Sequence, residues 1–163
     1  MTKDTPQSDP ILSDLAALVA EATRAAHHAY APYSGFRVGA ALLLHSGQLV
    51  SGANVENVSY GLTICAERAA LVRAIAQYGP TLRIRAAAVV NLNHAPSPPC
   101  GACRQVLAEF CSPDTLISFP ALECTTLESP TKECTSQENA ALVQQTRPFS
   151  DLLPFAFDLQ LKP

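Results

Sequence analysis

The sequence predicts a three-layer α/β sandwich around a mixed five-stranded sheet. Three observations carry that prediction. Apolar segments of strand length alternate with segments of helical periodicity. A short apolar hairpin near residue 47 supplies an antiparallel pair to a sheet otherwise built from crossovers. With 48% hydrophobic and 15% charged residues in 163, the composition supports one packed core.

The elements follow in chain order. Residues 1–12 are polar and read as a loose leader, and 13–163 as a single domain. Ser13 is a candidate cap for a helix carrying Leu15, Leu18, Val19, Ala22, Ala25, Ala26 and Ala29 at helical spacing. Pro32, Ser34 and Gly35 break it. Phe36–Leu44 and Leu49–Ala53 read as a hairpin turning at Ser46-Gly47. Residues 65–78 read as a helix, with Thr63 as a possible cap and Gly79-Pro80 as its stop. Ile84–Leu92 reads as a buried strand, and a proline-rich loop, 94–99, leads into a short helix over 101–110. Leu116–Phe119 is a fourth strand. The Thr-, Ser- and Glu-rich stretch 121–139 reads as a solvated loop, 140–145 as a fifth strand, and Ser150 as the cap of a terminal turn holding Leu152 and Leu153.

Composition also excludes. The formal charge is −3 and no segment is dense in Lys or Arg, which disfavours a polynucleotide substrate. No apolar run approaches the roughly 20 residues needed to cross a bilayer, and the polar N-terminus has no signal-like apolar region. Six cysteines in such a chain point to a reducing, cytoplasmic setting and to metal or catalytic use of thiols.

The chemistry concentrates in Cys65-Ala66-Glu67-Arg68 and Pro99-Cys100-Gly101-Ala102-Cys103-Arg104, each at the start of an expected helix. One helical turn brings Cys100 and Cys103 to one side, and Cys65 from another helix completes three thiolates. Three protein ligands leave a tetrahedral zinc open to water, the catalytic pattern. Helix N-termini favour thiolate over thiol. Three thiolates leave zinc with a net charge of −1 and weaken it as a Lewis acid, so Arg68 and Arg104 are candidates to hydrogen-bond the sulfurs and restore acidity. Glu67, two residues past Cys65, turns about 200° away on a regular helix. It faces the same water only if Cys65 lies at the helix mouth, and it then serves as proton carrier rather than ligand. A redox pair is the weaker alternative, because the C-x-x-C follows a proline-rich loop rather than a strand. A closed structural site, with His94 or Cys111 as fourth ligand, is a second alternative.

These segments resemble the small homotetrameric zinc-dependent cytidine deaminases. Tyr33-Ser34-Gly35-Phe36-Arg37-Val38-Gly39-Ala40-Ala41-Leu42 is similar to that family's first-strand motif, and Asn54-Val55-Glu56-Asn57 to its ribose-binding segment. Tyr60 to Arg68 and Pro99 to Gln105 are similar to its two zinc segments. The resemblance implies a cytidine deaminase-like fold, one Zn²⁺ per subunit on Cys65, Cys100 and Cys103, and catalysis by Glu67. It implies that Phe36 packs on the pyrimidine, that Asn54 and Glu56 bond the sugar hydroxyl, and that the Ala66 backbone approaches the base carbonyl. It further implies that Tyr60 and Phe157 reach a neighbouring subunit's site in a homotetramer, and that the substrate is a small nucleoside, cytidine or 2′-deoxycytidine. Read without the motif, Phe36 is a core aromatic and Asn54 and Glu56 a polar turn. A deaminase of a cytosine-containing antibiotic such as blasticidin S shares the zinc signature; Arg68 and the Asn54/Glu56 pair favour ordinary nucleosides. The 121–139 stretch exceeds the family pattern, and its Cys124 and Cys134 read as free thiols.

Overall fold

The computed structural model describes residues 10–124 and 140–156. Helix α1 spans Pro10–Ala26, and strands β1 (Val38–Leu44) and β2 (Leu49–Ala53) form the hairpin. A 3₁₀ turn at Tyr60–Leu62 precedes α2 (Ala66–Tyr78). Then come β3 (Ile84–Asn91), α3 (Gly101–Ala108), β4 (Cys111–Cys124), β5 (Ala140–Pro148) and α4 (Phe149–Leu152). The sheet order is β2-β1-β3-β4-β5, with β3 and β4 parallel and the other pairs antiparallel. The expected mixed five-stranded sheet is present.

Helices cover both faces, and the side-chain alternation of β1 and β3 sorts the core into two layers. Ala41, Leu43, Ala86 and Ala88 pack against Leu18 and Ala22 of α1. Ala40, Leu42, Ala87 and Val89 turn the other way, towards Ala66, Ala70 and Leu71 of α2 and Leu107 of α3. The small side chains let the helices approach closely. A Cβ on Gly39 would lie 2.0 Å from the Ala22 carbonyl oxygen and 2.5 Å from the Ala26 nitrogen. Backbone atoms cannot yield as a flexible side chain does, so Gly39→Ala is expected to destabilise by about 3 kcal/mol or more. A fall in the urea unfolding midpoint measures this.

Several boundaries differ from the expectation, each for a local reason. Helix α1 begins at Pro10, inside the expected leader, because proline suits the first helical position; Ser13 therefore lies within the helix. It stops at Ala26, where Ala29 N–H bonds the Ala26 carbonyl in a tighter turn. The cap of α2 is Cys65, not Thr63, whose N–H instead closes the 3₁₀ turn onto the Tyr60 carbonyl. Strand β4 is far longer than Leu116–Phe119. Its start is bulged: Ile84 pairs with Cys111 but Ala86 with Leu116. The Thr115 hydroxyl closes the bulge, donating to the Ile84 carbonyl at 3.1 Å and accepting the Ser112 N–H at 2.8 Å. At its far end, Ala121–Cys124 reads as loop by composition yet pairs with Val143–Ala140. Strand β5 continues to Pro148, so α4 begins directly at the buried Phe149 and Ser150 is inside it rather than capping it. The remainder of the expected 121–139 loop, from residue 125 with Cys134, lies outside the described residues.

Candidate metal centre and active site

Cys65 and Cys100 occupy the same structural position. Each is the residue before a helix, in extended conformation (φ −70°, ψ 154° and φ −67°, ψ 165°), and neither side chain makes a capping hydrogen bond. Cysteine stands where serine or aspartate is usual, so the sulfur sits in the positive field of the helix N-terminus. Cys103 lies one turn into α3 and is fully buried. The Cys65 and Cys100 sulfurs are 3.8 Å apart. All three Sγ atoms lie within 4.8 Å of one another, the group among the described residues that could hold a metal.

The donor set suits zinc: three soft sulfurs, no fourth side chain among the described residues, and the Arg68 guanidinium beside them. Cys111 is not part of the group. The length of α3, about 12 Å, separates it from Cys100, and burial pushes its thiol up to about 12. His94 is likewise outside the group, in the exposed loop after β3. Arg68 donates from NH2 to Cys65 Sγ at 3.6 Å and to the Thr63 carbonyl at 3.0 Å, while its buried Nε has no partner among the described residues. Cys65 is held down to about 5, first by the Cys103 thiol and also by Arg68 and Cys100, against the cost of burial. Cys103 moves the opposite way, chiefly because it donates to Cys65. A divalent ion would hold all three as thiolates.

Arg104 departs from the expected role at the sulfurs. Its Nε donates to the Pro99 carbonyl at 2.6 Å and its NH1 to the Leu152 carbonyl at 2.9 Å. It braces the Cys100 approach against α4.

Glu67 is the second residue of α2, and Cys65 does lie at the helix mouth. Only 5% of its surface is exposed. Burial raises its pKa most, opposed by its own backbone N–H; the Cys65 charge raises it further. Ala66 is fully buried. As the first residue of α2 its N–H has no carbonyl of the same helix one turn back to bond. The helix is seated by Gly52 of β2, where an added Cβ would stand 2.4 Å from Ala70 N and 2.9 Å from Ala66 O.

The remaining expected residues lie as follows. Phe36 is 38% exposed, too open for a core aromatic. Asn54 and Glu56 are mostly covered, and both already serve the segment before β1. Asn54 Nδ2 donates to the Phe36 carbonyl and its Oδ1 accepts the Val38 N–H, each at 2.9 Å. Glu56 accepts from the Tyr33 N–H at 3.0 Å, from the Ser34 N–H at 3.3 Å and from the Ser34 hydroxyl. The Ser34 hydroxyl and Tyr33 amide hold the Glu56 carboxyl below the usual range. Tyr60 sits on the 3₁₀ turn and is 73% exposed. Phe157 lies outside the described residues. Sequence reasoning missed Gly52 and Asn93. An Asn just past a strand end was the available sign of the latter, which bonds the backbone on both sides of Phe36.

Comparison with known proteins fits this geometry. Residues 12–118 match the family model described as the cytidine and deoxycytidylate deaminase zinc-binding region, a span holding all three cysteines and Glu67. The chain belongs to this deaminase family. Family relatives include a cytidine deaminase of Halalkalibacterium halodurans, 52% identical over 107 residues, which are 65% of this chain and 79% of the relative. The cytidine deaminase of Mycobacterium tuberculosis has a crystal structure that superposes with a TM-score of 0.68 at 40% identity, covering 90% of this chain and 98% of that one. A cytidine deaminase structure from Burkholderia pseudomallei gives 0.66 at 39% identity, covering 87% and 98%. The matched span runs from α1 into β4 and so takes in most of the sheet and its helices.

Proposed function

We propose that this chain catalyses the zinc-dependent hydrolytic deamination of cytidine and 2′-deoxycytidine to uridine and 2′-deoxyuridine, releasing ammonia. The observation that carries the reading is a buried carboxyl, Glu67, on the same helix turn as one of three clustered sulfurs. Cys65, Cys100 and Cys103 would hold the zinc, with Arg68 offsetting their negative charge. Zinc, when bound, supplies a nucleophilic water at neutral pH.

Glu67 does the proton work. Burial raises its pKa, the direction that suits a proton carrier. As a carboxylate it takes a proton from the attacking water; as an acid it delivers that proton to N3 of the cytosine ring. It relays the second water proton to the departing exocyclic amine, so ammonia leaves and the C4 carbonyl remains. The Ala66 N–H, at the first position of α2, suits the base carbonyl, and the exposed face of Phe36 suits a flat pyrimidine. Asn54 and Glu56 would meet a sugar hydroxyl with the lone pairs and hydrogens that the backbone leaves over. A site built to bond a hydroxyl rejects analogues lacking one, which favours nucleosides over free bases.

Val58, Tyr60, Leu62 and Ile64 are 76%, 73%, 67% and 44% exposed on the segment leading into α2. So apolar a run beside the site favours a subunit interface, and a homotetramer in which Tyr60 enters a neighbour's pocket accounts for it. The free thiols favour a cytoplasmic setting, and the shared core favours a single domain. The test measures cytidine absorbance loss and zinc content on one preparation, with mass by light scattering. Turnover that scales with zinc is expected. Fully metallated protein without turnover overturns the reading.

A further inference from the structure

The backbone around Phe36 is held in an unusual way. The ladder between β1 and its neighbours ends on one side at Asn54 N–H to the Val38 carbonyl, 3.1 Å, and on the other at Leu92 N–H to the Arg37 carbonyl, 3.0 Å. Beyond those bonds both neighbouring chains turn away. Two side-chain amides then continue the ladder in place of peptides. On the β2 side Asn54 bonds the Phe36 carbonyl and the Val38 N–H. On the β3 side Asn93 Oδ1 accepts the Arg37 N–H at 2.8 Å and its Nδ2 donates to the Gly35 carbonyl at 3.0 Å. The Ser34 hydroxyl takes the Phe36 N–H at 2.9 Å. Phe36 and Arg37 are therefore held by side-chain neighbours much as a strand is held by peptides, with Gly35 turning the chain into them at a left-handed φ of +69°.

Asn93 has a second attachment. Its own N–H donates to Asn91 Oδ1 at 2.5 Å, and Asn91 Nδ2 donates to the Ser97 hydroxyl at 2.7 Å. Ser97 N–H is fixed to the Pro120 carbonyl at 2.8 Å, and only Pro98 and Pro99 separate it from Cys100. At His94, between Asn93 and Ser97, the chain takes a left-handed φ of +51°, which diverts the main chain while the Asn93 amide stays against residues 35–37.

We propose that Asn93 is a positioning residue for nucleoside binding, holding the Phe36 ring at a fixed place relative to the Cys100 loop. It touches no reacting atom. It acts through Phe36, and so rests on the reading of Phe36 as the platform for the base. Without it, part of the cost of ordering residues 35–37 moves from folding to binding. The proton relay at Glu67 is untouched, so the loss falls on KM and not on kcat.

The experiment compares Asn93→Ala, Phe36→Ala and the double variant, each with kcat, KM for cytidine, zinc content and Tm. Two hydrogen bonds of ordinary net worth correspond to about a thirtyfold change, and only the part that is not already met in folding reaches KM. Asn93→Ala is expected to raise KM by about tenfold, with kcat within about twofold of the parent and zinc content unchanged. Phe36→Ala is expected to raise KM more, and adding Asn93→Ala to it is expected to change nothing further. An unchanged KM in Asn93→Ala alongside a raised KM in Phe36→Ala overturns the assignment of Asn93 alone. The same factor on both backgrounds also overturns it, as does a loss confined to kcat or to zinc content. An unchanged KM in Phe36→Ala overturns the platform reading, and the Asn93 proposal with it.

Discussion

Glu67→Gln is expected to lower kcat for cytidine by about 10²–10⁴-fold, the usual worth of a placed acid–base group, with zinc content and fold intact. Glutamine keeps the size and planarity of the buried side chain but cannot take up or release a proton. Because burial raises the Glu67 pKa, the native carboxyl carries a desolvation cost that a neutral amide avoids. The variant should accordingly be no less stable than the parent, and a Tm equal to or above the parent's separates a chemical defect from a folding one. Kinetics by absorbance, zinc by atomic emission and Tm by calorimetry settle it together. Parental activity in this variant would remove Glu67 from the mechanism.

Cys103→Ala is expected to have the next largest effect. The side chain is fully buried, and losing one of the three proposed ligands should weaken zinc by well over the roughly 10–100-fold seen when only a ligand's supporting partner is lost. Zinc content and turnover should fall together. Chelation of the parent should lower its Tm and re-addition of zinc restore it, since a ligand present at 100 times its Kd stabilises the folded state by about 2.7 kcal/mol. Cys111→Ala is the control. That thiol is outside the sulfur cluster, and its removal should leave zinc content and turnover at parental values. Equal zinc loss from Cys103→Ala and Cys111→Ala would overturn the assignment of ligands.

Periodicity and residue type were enough for the core. The helical spacing of Leu18, Ala22, Ala25 and Ala26 and the apolar run of Ile84–Val90 are signals of burial, and burial is what the sheet and its helices share. The clustering of the sulfurs was legible because Cys65 and Cys100 each cap a helix and Cys103 follows in the first turn of α3, a local geometry. What was not legible depended on partners distant in the chain. Polar Ala121–Cys124 is a strand only because β5 lies beside it. Phe36 and Arg37, expected in β1, fall outside the named strand because their neighbours are the side chains of Asn54 and Asn93, which no backbone pattern encodes. Arg104 was read by its nearness to a ligand in sequence, whereas its orientation is set by the Leu152 carbonyl of α4.

The contact at Gly52 has a bearing on how this protein tolerates change. Its missing side chain admits the first turn of α2, and any methyl there would wedge against Ala66 O and Ala70 N. In a saturation library selected for deaminase activity, position 52 should return glycine as strictly as position 67 returns glutamate. Gly52 has no side chain to lend to the chemistry; it only makes room for the α2 backbone. A map of mutational sensitivity would thus mark as catalytic a residue whose whole contribution is an empty volume one methyl group wide.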